Sequence, residues 1–219
     1  MSYNIKNADL GKKIPEIAAD IRAEQPEIVC VQEVDSGVRR SKKKNILKEL
    51  SEILQMQYCF FPAIPLQGGT YGIGILSRFP LENCTSTPLL IRDVDEGRVL
   101  GSCEVTVNGK TLTVLLTHLS YEDKQTRLAQ FDYLQSVFAS SAPAVLCGDF
   151  NVESFEEFSR INATAVNTAE TPFETFIGGG TPFTAIDNIY CSADITLVSK
   201  KVCETSVSDH KPLLCELEF

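Results

Sequence analysis

The 219-residue sequence contains no tryptophan, and its 20 lysines and arginines are outnumbered by 29 aspartates and glutamates. With a formal net charge of −9 at pH 7, the chain lacks the basic field that drives sequence-independent binding to nucleic acid. It also has no tryptophan on which bases could stack. A long polynucleotide is therefore a disfavoured substrate, although acidic metal ligands would account for part of the charge and a bound cation would offset it.

Long apolar runs are also missing. No stretch approaches the ~18 apolar residues of a membrane span, and the N-terminus opens on a strand-like segment without the apolar region of a signal peptide. We expect a soluble cytoplasmic protein, or a secreted one if a leader has been removed. At 219 residues the chain is long enough for one well-buried core and too short for two, and it has no internal repeat and no linker, so we expect residues 1–219 to form a single domain. We also expect a monomer.

The eight cysteines include no CxxC pair. Half of them lie inside apolar runs, where a free thiol packs as a small hydrophobic side chain: Cys30, Cys103, Cys147 and Cys215. We expect reduced cysteines in an intracellular protein, with a zinc site or disulfides as the alternatives.

Apolar periodicity predicts a mixture of helices and strands. Helices are expected over 8–25, 46–54 and 128–138. Strands are expected over 2–5, 27–31, 58–61, 71–76, 99–107, 111–117, 144–147, 186–191, 195–198 and 213–219. Asn108-Gly109 is a strong hairpin signal, whereas 62–70 and 152–184 are expected to be loops. This order favours two packed sheets with helices on the outside.

Polar side chains occur where apolar runs stop. Asp149 and Asn151 follow one such run, and His118, one of only two histidines, ends another. Asp209 and His210 precede a third. Carboxylate and carboxamide oxygens suit a hard divalent cation, and imidazoles handle charge and protons. The combination predicts metal-assisted hydrolysis of a phosphoester.

Two further polar residues fit the same interpretation. Glu33 comes where a buried strand is expected to end, so we predict a metal ligand there, with a solvated glutamate as the alternative. Asn4 would lie beside it as an oxygen ligand or a hydrogen-bond donor, or else form a turn. Asp149 and Asn151 are two residues apart, so an extended chain would place both on one face, unless Gly-Asp forms a turn.

Seven short motifs occur in order: Asn4 in Ser-Tyr-Asn-Ile, Gln32-Glu33, Gly-Ile-Leu-Ser-Arg-Phe-Pro at 74–80, Thr117-His118-Leu119, Gly148-Asp149-Phe150-Asn151, Ile186-Asp187-Asn188-Ile189 and Ser208-Asp209-His210. On these motifs, residues 3–217 resemble the endonuclease/exonuclease/phosphatase family, which includes DNase I and neutral sphingomyelinases. The resemblance implies an α/β fold of the DNase I type, a four-layer α/β/β/α sandwich of two mixed sheets flanked by helices. It also implies a phosphoesterase that uses Mg²⁺ or Mn²⁺.

The resemblance also suggests roles for the polar residues. Asp149 would orient the attacking water, and Asn151 would donate to a phosphate oxygen as charge grows there. A protonated His210 would face the phosphate, with Asp187 holding its tautomer, although an Asp-His pair can also be an exposed turn. Asp209 would add a metal ligand or tune the metal.

The remaining assignments concern the leaving group and the substrate. His118 is expected to protonate the leaving group or bind phosphate, with Glu96 as its orienting partner; a structural histidine is the alternative. Arg98 and Arg40 are candidates for clamping phosphate or a neighbouring anion, or are solvated. The loops 62–70, 88–97 and 166–185 carry no motif that identifies the substrate.

These observations favour a phosphodiesterase that hydrolyses a small-molecule, nucleotide or lipid-derived phosphodiester by in-line attack of water. A DNase-like nuclease is the alternative enzyme. A catalytically silent module that binds a phosphate ligand is the alternative from another class, and it predicts damaged site residues.

Overall fold

A computed structural model describes residues 1–89 and 96–219. The strands are β1 (Ser2–Asn4), β2 (Ile28–Ser36), β3 (Gln57–Leu66), β4 (Gly69–Ser77), β5 (Glu82–Pro88), β6 (Val99–Val107), β7 (Lys110–His118), β8 (Ala144–Asp149), β9 (Thr164–Ala165), β10 (Asp187–Cys191), β11 (Thr196–Val202) and β12 (Leu213–Glu218). The helices are α1 (Asn7–Gly11), α2 (Ile14–Glu24), α3 (Ile46–Leu54), α4 (Lys124–Ala139) and α5 (Phe155–Phe158), with a 3-10 turn at Arg39–Ser41. No helix in these ranges is long and apolar enough to cross a membrane.

The strands form two six-stranded mixed sheets. Sheet A has the order β11-β12-β1-β2-β4-β3, and sheet B has the order β5-β6-β7-β8-β10-β9. The parallel pairs are β1 with β2 and β7 with β8, and their register aligns Asn4 with Gln32 and His118 with Asp149. Polar residues from neighbouring strands therefore reach the same end of each sheet.

Three apolar clusters hold four layers together. One lies between the sheets and includes Ile75 and Leu116, both fully buried. Another packs α2 and α3 against sheet A, and the third packs α4 against sheet B. Each fully buried aliphatic side chain contributes about 1.5–3 kcal/mol relative to exposure. The predicted four-layer sandwich of two mixed sheets flanked by helices is confirmed.

The first predicted helix is wrong at its start. Residues from Lys6 to Leu10 have positive φ angles of 44–58°, and the right-handed helix begins only at Ile14. Pro15 lies in the first turn of α2, where its missing N–H and fixed φ are tolerated. The apolar spacing continued across this start, so periodicity alone could not locate it.

The predicted loop 62–70 is also wrong. Strand β3 continues to Leu66 and turns tightly through Gln67 and Gly68, whose φ angles are 46° and 84°. Pro62 and Pro65 fit because β3 is an edge strand of sheet A, where no ladder N–H is needed on the outer side.

Other segments agree with the sequence more closely. The Asn108-Gly109 hairpin and the helix over 46–54 are confirmed. Strand β5 was missed because its polar, exposed side chains show no apolar alternation, and the predicted loop 152–184 contains only α5 and β9 as regular elements. Most of the predicted loop 88–97 lies outside the described residues.

Candidate active site

A cavity of roughly 450 Å³ collects most of the residues singled out in the sequence. Of the candidate residues named from the sequence, those that line the cavity are Glu33, Glu96, Arg98, His118, Asp149, Asn151, Asp209 and His210. Asn4 and Asp187 lie immediately behind this surface, because Asn4 is hydrogen-bonded to Glu33 and Asp149, and Asp187 to His210. Residues far apart in the chain thus converge on one site.

Glu33 reaches the cavity from within a strand rather than from its end. The pairing of β2 with β4 shifts register between Val31 and Val34, and Glu33 at this bulge has a φ angle of 59°. For a residue with a side chain, this left-handed conformation costs about 1–2 kcal/mol. Bulges of this kind re-aim a side chain next to active sites. The expectation that β2 stops before Glu33 is therefore wrong, since β2 continues to Ser36.

Asn4 bridges two carboxylates. Its Nδ2 donates to Glu33 Oε1 at 3.1 Å and to Asp149 Oδ2 at 3.0 Å. Its Oδ1 accepts from the backbone N–H of Lys6 at 3.1 Å. The Asn4 side chain is therefore a hydrogen-bond donor to both carboxylates. The bridge fixes the separation of Glu33 and Asp149 across the two sheets.

The carboxylates of the cavity are crowded. Burial raises the pKa of Glu33, and the nearby Asp209 adds to this effect. Burial also raises the pKa of Asp149 to about 7, together with the charge of Asp187. Asp209 is paired with Lys6, whose Nζ lies 2.7 Å from its Oδ2. A divalent cation bound by these hard oxygens would relieve the repulsion, so the donor set suits Mg²⁺ or Mn²⁺.

His210 and Asp187 form a buried ion pair. The imidazole Nδ1 donates to Asp187 Oδ2 at 2.9 Å, and Nε2 lies 3.6 Å from Asp149 Oδ2. Burial lowers the pKa of His210, but the charges of Asp187 and Asp149 outweigh it and raise the pKa to about 10. The imidazole is therefore protonated at neutral pH, with Nδ1 committed to Asp187.

Ligand atoms of Asp149, Asp187 and His210 lie within 4.8 Å of one another, so this group could hold a metal ion. A metal bound through His210 Nε2 would require the imidazole to lose a proton that its raised pKa holds. Glu33 and Asp149 offer carboxylate oxygens to the same cavity without that requirement. The oxygens on the Glu33 side of the cavity therefore suit a metal ion better.

His118 ends β7 directly opposite Asp149, with its Nε2 3.6 Å from Asp149 Oδ2. Burial, then the charges of Arg98 and His210, lower the pKa of His118 well below 6.5, so the imidazole is neutral. The expected partner Glu96 does not orient it. The Glu96 carboxylate pairs instead with Arg98 at 3.0 Å, and His118 Nδ1 has no partner among the described residues.

Asn151 reaches the cavity by a different route from the one expected. Its φ angle is 49°, so the chain from Asp149 is not extended. The backbone N–H of Asn151 donates to Asp149 Oδ1 at 3.0 Å, and its Nδ2 donates to the carbonyl of Leu119 at 2.9 Å. Phe150 is fully buried and stacks on Phe131 with ring centroids 5.4 Å apart, which anchors this turn.

The two arginines predicted to bind phosphate have different surroundings. Arg98 is 3% exposed, lines the cavity and has an unpartnered Nε among the described residues. Arg40 is outside the cavity lining, because its guanidinium makes two hydrogen bonds to buried Asp35 at 2.9 and 2.8 Å. The structure thus brings Arg98 but not Arg40 into the site.

Arg127 supports the site and was missed in the sequence. It is fully buried, and its Nε donates to Glu157 Oε2 at 2.7 Å. Further bonds reach Glu153 and the carbonyl of Ser120, so one guanidinium holds the loops after β7 and β8. The sequence could have indicated its burial, because Arg127 lies four residues before Phe131 and therefore on the same buried face of α4.

Comparison with known proteins agrees with this geometry. The sequence profile of the endonuclease/exonuclease/phosphatase family matches residues 1–210. The chain belongs to this family. It is 22% identical to the uncharacterized protein YbhP of Escherichia coli K12 over 233 residues, which covers 94% of this chain and 88% of YbhP.

Solved structures share the fold. Mannosyl-6-phosphatase Bt3783 of Bacteroides thetaiotaomicron superposes with a TM-score of 0.76 and 17% identity, covering 100% of this chain and 98% of that one. D. rerio TDP2, solved with a single-strand DNA product, gives a TM-score of 0.75 and 17% identity, covering 100% and 97%. At these identities the likeness shows the DNase I-like fold alone.

Proposed function

We propose that this chain is a divalent-metal-dependent phosphodiesterase that attacks phosphorus in line with water and acts on a small, nucleotide or lipid-derived phosphodiester. The observation that carries the proposal is the bridge from Asn4 to Glu33 and Asp149, which joins a candidate metal ligand to a candidate water-orienting carboxylate. Membership of the family supports the phosphoesterase class.

Glu33 would hold the metal, with Asp209 as a further ligand once it leaves Lys6. A bound Mg²⁺ or Mn²⁺ would supply charge neutralisation to the phosphoester. Asp149 accepts a hydrogen bond from water and orients it, and its pKa of about 7 places it near the range of a general base.

Protonated His210, held by Asp187, would donate through Nε2 to a phosphate oxygen as negative charge grows. Neutral His118 fits binding of phosphate better than protonation of the leaving group, because its lowered pKa leaves one N–H that can donate a hydrogen bond but no acidic second proton at neutral pH. Asn151 and Arg98 would donate to the remaining oxygens from the same cavity.

The choice of a small substrate rests on the acidic balance of the chain and on a cavity whose volume lies within the usual range for small-molecule sites. A nuclease activity is the competing proposal, and TDP2, solved with a DNA product, is a structural neighbour. The silent-module alternative predicts damaged residues, whereas Glu33, Asp149 and His210 are all present and face one cavity.

Hydrolysis of bis-p-nitrophenyl phosphate, p-nitrophenyl phosphate and plasmid DNA, each with Mg²⁺, with Mn²⁺ and with EDTA, tests the proposal. We expect the diester to be cleaved fastest and EDTA to abolish cleavage. Asp149→Ala and His210→Ala should each lower kcat by about 10²–10⁴-fold, because each removes a group acting on the reacting atoms.

Asp132→Ala is the matched control, since the Asp132 side chain is 63% exposed and contacts only the surface residue Arg160 among the described pairs. Its kcat should equal that of the wild type. Unchanged hydrolysis in both site variants would refute the assigned mechanism, and cleavage of plasmid alone would replace the phosphodiesterase with a nuclease.

A further inference from the structure

Three cysteines meet away from the catalytic cavity. Cys59 lies on β3, Cys84 on β5 and Cys103 on β6, and their sulfur atoms are all within 4.8 Å of one another. Strand β3 is an edge of sheet A and β5 is an edge of sheet B. The cluster therefore joins the free edges of the two sheets, and wide separation in sequence hides it from any spacing motif.

Ordinary core packing does not account for this cluster. Cys103 is buried, Cys59 is half-buried and Cys84 is exposed, and all three thiols are free. Cysteines that serve only as small hydrophobic side chains lie inside the core, as Cys30 and Cys147 do. Three sulfurs within 4.8 Å of one another, one of them on a solvent-exposed residue, form a site that a cation can enter.

The thiols also interact electrostatically. A hydrogen bond from Cys103 is the main cause of the lowered pKa of Cys59, which is about 6; burial opposes the shift, and Cys84 adds to it. The hydrogen bond to Cys59 in turn raises the pKa of Cys103, and burial raises that of Cys84, so the thiolates needed at all three positions would form as the metal ion displaces the thiol protons.

We propose that Cys59, Cys84 and Cys103 bind one thiophilic d¹⁰ cation of the Zn²⁺ class. A Zn–S distance of about 2.3 Å implies sulfur atoms about 4 Å apart, so the sulfurs need move by less than about 1 Å. The exposed side at Cys84 leaves a coordination position for water. Soft sulfur ligands here and hard oxygen ligands in the catalytic cavity select different metals.

The test uses reduced, EDTA-treated protein titrated with Cd²⁺, followed by sulfur-to-cadmium charge-transfer absorption in the ultraviolet. The residues lining the catalytic cavity include no cysteine, so metal bound there gives no such signal. We expect one equivalent of Cd²⁺ to bind with this signature. Zn²⁺ should raise the Tm, because it links the edges of both sheets.

Cys84→Ser should weaken Cd²⁺ binding by more than about 10-fold, because it removes a ligand. Loss of a residue that only hydrogen-bonds to a metal ligand already lowers metal affinity by about 10-fold or more. Cys84 is exposed, so circular dichroism should show a folded variant. Cys215→Ser, half-buried and outside the cluster, is the control and should retain the full signal. Absence of the charge-transfer band, or an equal band in Cys84→Ser, would overturn the proposal. A disulfide between Cys59 and Cys84 would also overturn it if the protein, once reduced, still bound no Cd²⁺.

Discussion

The buried ion pair of Arg127 and Glu157 gives the sharpest test of how the site is supported. The two side chains are 0% and 1% exposed, and two hydrogen bonds of 2.7 and 3.2 Å join them. Glu157→Gln preserves the shape and one acceptor but leaves a buried guanidinium charge without its main partner. Breaking a buried pair in this way costs about 3–5 kcal/mol. The lower end, about 3 kcal/mol, applies because Glu153 still contacts Arg127.

For a chain of this length, 1 kcal/mol shifts the Tm by about 2–4 °C, so Glu157→Gln should lower it by about 6–12 °C. The urea concentration at the unfolding midpoint should fall by about 1 M if the unfolding free energy decreases by about 3 kcal/mol per molar urea. Equilibrium urea unfolding and calorimetry measure both quantities. Removing both charges in Arg127→Met/Glu157→Leu should cost less than Glu157→Gln alone.

Asp132→Asn provides the matched control, on helix α4 together with Arg127. Its partner Arg160 lies at 2.7 Å, but the two side chains are 63% and 43% exposed, so the loss should be below about 1 kcal/mol. A Glu157→Gln variant that loses no more than Asp132→Asn would contradict the reasoning.

Three further predictions concern the site and the core. Asn4→Ala removes the bridging donor and should raise the Mg²⁺ concentration for half-maximal activity by about 10–100-fold; an unchanged Mg²⁺ titration would contradict this. In EDTA, the His210 pKa of about 10 means that its pair with Asp187 stabilises the fold fully below pH 6.5 and is lost as pH rises toward 10. Urea titrations measure how much more stable the wild type is than Asp187→Asn, and this difference in unfolding free energy should fall between pH 6.5 and 10. A difference that does not change with pH would refute the stabilising role of the pair. Gly101→Ala places a Cβ 2.3 Å from the Phe61 ring and should destabilise by about 1–3 kcal/mol, as a lower urea midpoint.

The polar residues at strand ends were predictable from sequence. His118 and Asp149 each end a buried strand, and the point where an apolar run stops locates such residues directly. His210 was found in the same way, before β12. The resemblance to the family also implied that these residues act at one site.

Other parts of the site depend on geometry that no local pattern encodes. Glu33 reaches the cavity through a bulge inside β2, and the apolar run before it gave the same signal as a strand end. Asn151 adopts a left-handed conformation that replaces the expected extended chain. Arg40 carries the same charge as Arg98, but its neighbour Asp35 keeps it away from the cavity.

The sequence alone determined the order of buried strands, the residues that end them and hence the class of chemistry, because hydrophobic periodicity and residue type act locally. Only the tertiary structure decided which side chains touch. The Asn4 bridge, the buried Arg127 pair and the sulfur cluster of Cys59, Cys84 and Cys103 each join residues far apart in the chain. Such contacts are set by how the two sheets and their covering helices pack, and packing is a property of the whole chain.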